Sequence, residues 1–207
     1  VEKTQNQKIK GRWKLFIVLA VCAAPMIASY LAYYVIKPEG RTNYGTILDP
    51  RLYPMPELHA RLLGAGDAND TNNADKQNGL MAYRGKWIML TISSGSCDSA
   101  CQKKLYDLRQ LRLAQGKEMD RIERVWAVID EQPVDTLLLR EYDGMHVLKA
   151  DADVLRKWLP TEDGSQISEH IYMIDPLGNL MMRFPKNADP NKIKKDISKL
   201  LRASAIG

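Results

Sequence analysis

Two cysteines four positions apart, Cys97 and Cys101, are the residues of this chain best suited to chemistry. An apolar run (87–92) and a loop of small residues (93–96) precede them, and Leu105, Leu108 and Leu111 continue from Cys101 at helical steps of three and four. The pattern reads as strand, loop and helix, with both sulfurs at the helix entrance. Unpaired backbone N–H groups and the positive end of the helix dipole favour a thiolate there. A thiolate is both the attacking form of cysteine and its metal-binding form. Sulfurs one helical turn apart can close a disulfide or hold one soft metal ion. The plainer alternatives are a structural disulfide or two small buried apolar residues. Ser94, Ser96, Asp98 and Ser99 are all cap-type residues at this helix start.

These elements sit in a chain of 207 residues with a formal charge of +5. The charge is unevenly placed. Lys3, Lys8, Lys10, Arg12 and Lys14 against Glu2 make +4 in the first fourteen residues and leave +1 for the rest. The main domain is therefore nearly neutral, which argues against nucleic acid as a partner. Residues 15–36 carry no charge, and twenty-two residues of helix extend about 33 Å, enough to cross a bilayer core. Trp13 lies at one end of this span and Tyr30, Tyr33 and Tyr34 at the other, where amphipathic rings prefer the interface. The basic residues all precede the span, which puts the N-terminus in the cytoplasm and residues 37 onward on the outer (periplasmic or equivalent) face. Pro25 is tolerated inside a membrane helix. A cleaved signal peptide would have a shorter apolar core. Leu19-Ala20-Val21-Cys22 resembles a lipoprotein box, but Val21 stands where that box needs a small residue, so Cys22 reads as one apolar residue of the span. The domain beyond the membrane then holds only Cys97 and Cys101, an even number in a compartment that permits disulfides.

After the span, Pro38, Pro50, Pro54 and Pro56 mark an extended arm over 37–58, and the polar stretch 64–79 reads as a loop. Asp67, Asp70 and Asp75 within it lack the spacing of a calcium loop. The regular pattern begins at Gly79. Strands are expected at 87–92, 125–129, 171–174 and 180–184, the last two joined by the turn Asp175-Pro176-Leu177-Gly178-Asn179. Helices are expected at 101–115, 135–142 and 151–159, with a closing amphipathic helix from Pro190 to Arg202 presenting Ile193, Ile197, Leu200 and Leu201 on one face. Strands alternating with helices, followed by a hairpin and a helix, imply an α/β fold with a mixed sheet flanked by helices. The two central strands should be 87–92 and 125–129. The expected organisation is a basic tail (1–14), a transmembrane helix (15–36), an arm and loop (37–78) and a thioredoxin-like domain (79–207).

This order resembles the Sco family, thioredoxin-fold, membrane-anchored factors for the copper centre of cytochrome c oxidase. The features that carry the resemblance are the C-x3-C pair after a strand, a second strand ending in Asp130-Glu131-Gln132-Pro133, and a hairpin turning through Pro176 and Gly178. It covers roughly residues 78–202 and the anchor topology, and Cys97 and Cys101 match the family's copper-binding cysteines. Two features differ. Asp98 and Gln102 replace the prolines that follow the family's cysteines, and Ile167 stands where the family has its histidine ligand, with His170 three residues further on. His170 is nevertheless the candidate third ligand; His59 and His146 lie in arm and loop contexts. No proline immediately precedes the strand at 171, where thioredoxins place one beside their cysteines.

The resemblance implies two uses of the pair, which share a partner, the copper-receiving subunit of a respiratory oxidase. In one, Cys97 and Cys101 are a thiol–disulfide reductant of that subunit's cysteines, with Cys97 attacking and Cys101 resolving. In the other they bind Cu(I), with His170 as a third ligand or without one. A third reading is a non-catalytic, membrane-tethered assembly or structural protein whose cysteines form a structural disulfide. The motifs of hydrolases and phosphate-binding loops are missing from the sequence.

Overall fold

Strand β3 (Trp87–Ser93) lies in the middle of the sheet, and all seven of its residues are buried. An uninterrupted apolar run is what a strand covered on both faces requires. The computed structural model describes residues 2–32, 34, 43–58, 60–63 and 79–206, and it divides at Thr42/Asn43 into two compact units.

The first unit contains helix α1 (Glu2–Leu31), which continues through Pro25. Its portion Trp13–Leu31 is long and apolar enough to cross a membrane, with a mean hydropathy of 2.0 and exposed side chains. The end of the expected span, at 35–36, lies outside the described residues.

The second unit is a seven-stranded mixed sheet covered by helices. In chain order its elements are β1 (Thr46–Ile47), β2 (Arg61–Leu62), β3, α2 (Ser99–Leu113), β4 (Ile122–Val128), α3 (Thr136–Glu141), β5 (Met145–Lys149), α4 (Ala152–Trp158), β6 (Ile171–Ile174), β7 (Leu180–Arg183) and α5 (Pro190–Ala203). The strands lie in the order β1-β7-β6-β3-β4-β5-β2. Pairs β3/β4 and β4/β5 are parallel, and the remaining neighbours are antiparallel. The two strands expected at the centre are thus adjacent, with the β6–β7 hairpin on the other side of β3.

Strand alternation sorts the core into two layers. Ile88, Leu90 and Ile92 join Val125, Ala127, Leu155 and Trp158 on one face. Trp87 and Met89 join Leu108, Leu111, Ile193, Ile197 and Leu201 of α2 and α5 on the other. Full burial of a leucine or isoleucine side chain contributes about 1.5–3 kcal/mol, which explains why the apolar stripe of α5 settles here.

Strand β5 departs from the expectation of a loop around His146. Only Val147 and Leu148 of its five residues are buried, too few to give a strand period. His146 is a strand residue whose Nε2 lies 3.2 Å from Glu123 Oε2 on neighbouring β4, with its ring against Tyr83. The arm lies on the domain from Asn43 onward. Its β1 pairs with β7, and Trp158 Nε1 donates to Tyr53 O at 3.2 Å. The loop over 64–78, with its three aspartates, and His59 lie outside the described residues.

Candidate functional site

The parallel strands β3 and β4 end side by side, and the loops that follow them meet. Gly95 N donates to Asp130 Oδ1 at 2.9 Å, which ties the loop before α2 to the loop after β4. Burial raises the Asp130 pKa, but hydrogen bonds from the Gly95 N–H, Ser94 and the Gln132 N–H outweigh it and leave the carboxyl below the usual value. Gly95 is required by this approach, because a Cβ there would lie 2.1 Å from Gln132 O.

Helix α2 starts where its cap residues suggest. Asp98 is the N-cap, in extended backbone, and its carboxylate accepts from Cys101 N at 2.9 Å. Cys97 precedes the cap with φ of 42°, in the left-handed region that a side chain rarely occupies. That bend turns the chain into the helix, and Gln102 Nε2 holds the Cys97 carbonyl at 3.1 Å.

Cys97 and Cys101 are joined in a disulfide, with their Cα atoms 5.1 Å apart. Both are nearly covered, at 2% and 3% exposure, and belong to an apolar cluster with Leu105, Trp126, Val128, Leu138, Tyr142 and Val147. The sulfur of Cys101 has a polar neighbour in Ser93 at the end of β3, with Oγ 3.0 Å away. Trp126 Nε1 donates to the same Oγ at 2.7 Å. An indole N–H only donates, and a disulfide sulfur carries no hydrogen, so the serine hydroxyl donates to Cys101 Sγ. Neither Ser93 nor Trp126 was singled out from sequence. Their meeting depends on the register that sets Trp126 opposite Thr91.

A cleft of about 500 Å³ opens beside this chain of hydrogen bonds. Ser93, Cys101 and Lys104 line it together with Asp98, Gln166 and Glu169. Burial lowers the Lys104 pKa, against the opposing pull of Asp98 and Glu169, and its Nζ donates to Ser168 O. Cys97 is not among the cleft's lining residues.

His170 ends the 3-10 turn Ile167–Glu169 and leads into β6. It is fully buried, and both ring nitrogens are engaged. Nδ1 lies 2.9 Å from Phe184 O, so it carries the proton, and Nε2 lies 2.7 Å from Ser165 Oγ. Burial depresses its pKa, which keeps the ring neutral. Among the described residues no three or more His, Cys, Asp or Glu side chains are grouped to hold a metal ion. Once the bond between them is opened, the two sulfurs of the pair are soft donors one helical turn apart. His170 does not complete that set as it stands. Cys22, the third cysteine, is free and exposed on α1.

A helix-entrance disulfide at the ends of parallel central strands, in a sheet closed by a hairpin and a terminal helix, defines a thioredoxin-like domain. The chain belongs to the transmembrane-like, thioredoxin-like family, whose C-terminal-domain model matches residues 87–204 and whose N-terminal-domain model matches residues 5–35. No curated protein matches the chain. Sco proteins are among the solved structures to which it is similar. Copper-bound ScoI of Bradyrhizobium japonicum is 19% identical, with 57% of this chain and 87% of that one covered, at a TM-score of 0.44. Yeast Sco1 is 16% identical over 60% and 85% of the two chains, at 0.49. Apo Sco1 from Thermus thermophilus is 15% identical over 80% and 98%, at 0.47.

Proposed function

We propose that the protein is a membrane-anchored thiol–disulfide factor on the outer face of the cytoplasmic membrane, and that Cys97 and Cys101 reduce a cysteine pair in the copper-receiving subunit of a respiratory oxidase. The observation that carries the redox part is the disulfide at the entrance of α2, with Cys101 among the residues that line a cleft of about 500 Å³. A bond meant only to staple the fold has no need of a cleft that leads to it. The oxidase subunit as partner follows from the Sco resemblance of the sequence. In the reaction the reduced pair gives two electrons to the partner's disulfide and becomes the Cys97–Cys101 disulfide, and a thiol donor then restores it.

Reduced, the same sulfurs are two soft ligands suited to Cu(I). Because the nitrogens of His170 are both engaged, copper binding by the pair alone should be weak. A second reading has its own observation. Both sulfurs lie almost wholly within an apolar cluster, as a structural disulfide would.

Anaerobic titration of the reduced protein with Cu(I) against a competing chelator, beside a measured reduction potential, separates these readings. The expected result is a disulfide that opens to physiological thiols and copper binding no tighter than two thiolates provide. Tight one-to-one binding that is lost in His170→Ala would replace this reading by a three-ligand copper carrier. A disulfide that no physiological reductant opens would leave the structural role.

A further inference from the structure

Thiol–disulfide exchange needs a thiol to reach a sulfur, and neither cysteine is open to one. Cys97 is 2% exposed, and Cys101, although it lines the cleft, is 3% exposed. We propose that the segment 133–142, which carries α3, is a lid over the disulfide that must swing away before either sulfur can react. This rests on the redox reading above and adds the step that controls it.

The apolar cluster around the cysteines draws Leu105 from α2, Trp126 and Val128 from β4, Val147 from β5, and Leu138 and Tyr142 from the α3 segment. The strands cannot leave without opening the sheet, and α2 carries Cys101 itself. The segment 133–142 can leave with the sheet intact, and its attachment is slight. Leu138 and Tyr142 are its buried side chains, and both lie in this cluster, whereas Leu137 beside them is 67% exposed. Met145 N donates to Tyr142 O in the turn that begins β5. Apart from that turn, among the described residues two hydrogen bonds join the segment to other elements. Arg109 Nη1 donates to Glu141 O at 3.3 Å, and the Tyr142 hydroxyl donates to Gln102 O at 3.4 Å. Both are longer than such bonds usually are. A helix of six residues adds little stability of its own. The ends are better fixed. Asp130 Oδ1 accepts from the N–H groups of Gly95 and Gln132 before the segment, and Arg124 Nη2 donates to Asp143 O at 2.7 Å after it. Gly144 follows with φ of 74°, a bend that glycine adopts without strain. A stretch held weakly along its length and firmly at its ends opens as a unit.

With the lid away, an incoming thiolate bonds to one sulfur of the pair as the Cys97–Cys101 bond breaks. The other sulfur leaves as a thiolate and takes a proton from water. The lid acts before this step and exchanges no atoms in it. Its closure therefore shields the pair from thiols and disulfides that do not wait for the open form.

The test uses the full chain in detergent, with Cys22→Ala throughout so that only the pair reports. Opening of the ring by dithiothreitol is timed by acid quench, alkylation and mass spectrometry, beside hydrogen exchange of the same protein. With the natural lid, the amides of 139–142 should be protected about a hundredfold less than those of 125–128 in β4. Asp135 is the N-cap of α3, and its carboxylate accepts from Leu137 N at 2.8 Å. Asp135→Ala should weaken the helix and speed ring opening about fivefold, while Asp135→Asn, which still caps, should keep the natural rate. Thr136→Ala, a better helix former, should slow ring opening about twofold. Both positions are exposed, so these changes leave the core in place. Three results overturn the lid and leave the redox reading standing: protection at 139–142 equal to that of β4, a rate unchanged in Asp135→Ala and Thr136→Ala, or equal acceleration in Asp135→Asn and Asp135→Ala. A ring that dithiothreitol fails to open in every variant until urea unfolds the domain removes the redox reading itself. The exchange measurement needs no lid variant, so it decides the matter even if a substitution folds poorly.

Discussion

At the scale of single residues, Gly95 and His170 show what the site asks of its surroundings. A Cβ at position 95 would meet the backbone oxygen of Gln132, which cannot rotate away, so the two loops would have to part. Gly95→Ala should destabilise the domain by about 1–3 kcal/mol, the usual range for forced overpacking, as measured by urea unfolding. The same variant should weaken the Asp130 tie that holds the site loops together. His170 governs a pH dependence. Its folded pKa is lowered by burial, so the unfolded chain binds a proton at a pH where the folded ring stays neutral. The stability from the neutral ring is therefore full above the free-histidine value of about 6.5 and is lost as pH falls from there toward the folded value. Unfolding at pH 7.5 and 5.5 should show this loss in the natural chain, and in His170→Asn the difference should shrink even if absolute stability drops. An unchanged difference would place the titration elsewhere. The cysteine pair was legible in the sequence because its setting is local: a strand, small residues and a cap. The Trp126–Ser93–Cys101 chain was not, because it needs the parallel register of β3 and β4, which residue spacing does not encode.

At the scale of elements, legibility followed length and periodicity. Strand β3 carries the largely apolar run 87–92, β4 the apolar run 125–128, and α5 has one apolar face, so each is readable from its own residues. Strands β1 and β2 have two residues each and exist only because β7 and β5 offer them a free edge. What anchors β1 is a buried carboxylate. Asp196 of α5, 2% exposed, accepts from Tyr44 N at 2.6 Å and from Gly45 N at 2.9 Å, over more than 150 positions of sequence. An aspartate on the inner side of an amphipathic helix breaks the pattern, and that break was the available signal. Replacing it with alanine would leave both N–H groups unpaired where water is excluded, at a cost of about 1–3 kcal/mol for each buried group left unsatisfied. Asp196→Ala should therefore lower the urea midpoint and expose the 43–48 segment to limited proteolysis. The β3–β4 core should remain folded, because Ile193 and Ile197 stay buried against it. Loss of all cooperative unfolding would show that the arm is part of the core rather than an edge added to it.

At the scale of the whole molecule, two unrelated arguments support the proposed location of the cysteine domain on the outer face of the membrane. Five basic residues precede the apolar span against one acidic residue, and basic flanks are retained in the cytoplasm. Separately, a disulfide persists where the compartment does not reduce it, which is outside the cytoplasm. The two arguments share no residue, so one variant tests how they are coupled. A reporter enzyme that is active only outside the cytoplasm, fused after Arg202, should be active with the natural N-terminal segment. Changing Lys8, Lys10, Arg12 and Lys14 to glutamine removes most of the basic flank while leaving the span and the domain untouched. Reporter activity should fall, and the fraction of molecules facing inward should carry Cys97 and Cys101 as thiols, which alkylation before lysis can count. An active reporter in both forms with the pair always oxidised would show that charge does not set the orientation. A natural chain whose reporter works only in the cytoplasm would overturn the orientation and, with it, an oxidised resting state for the pair, leaving a dithiol kept reduced by its compartment.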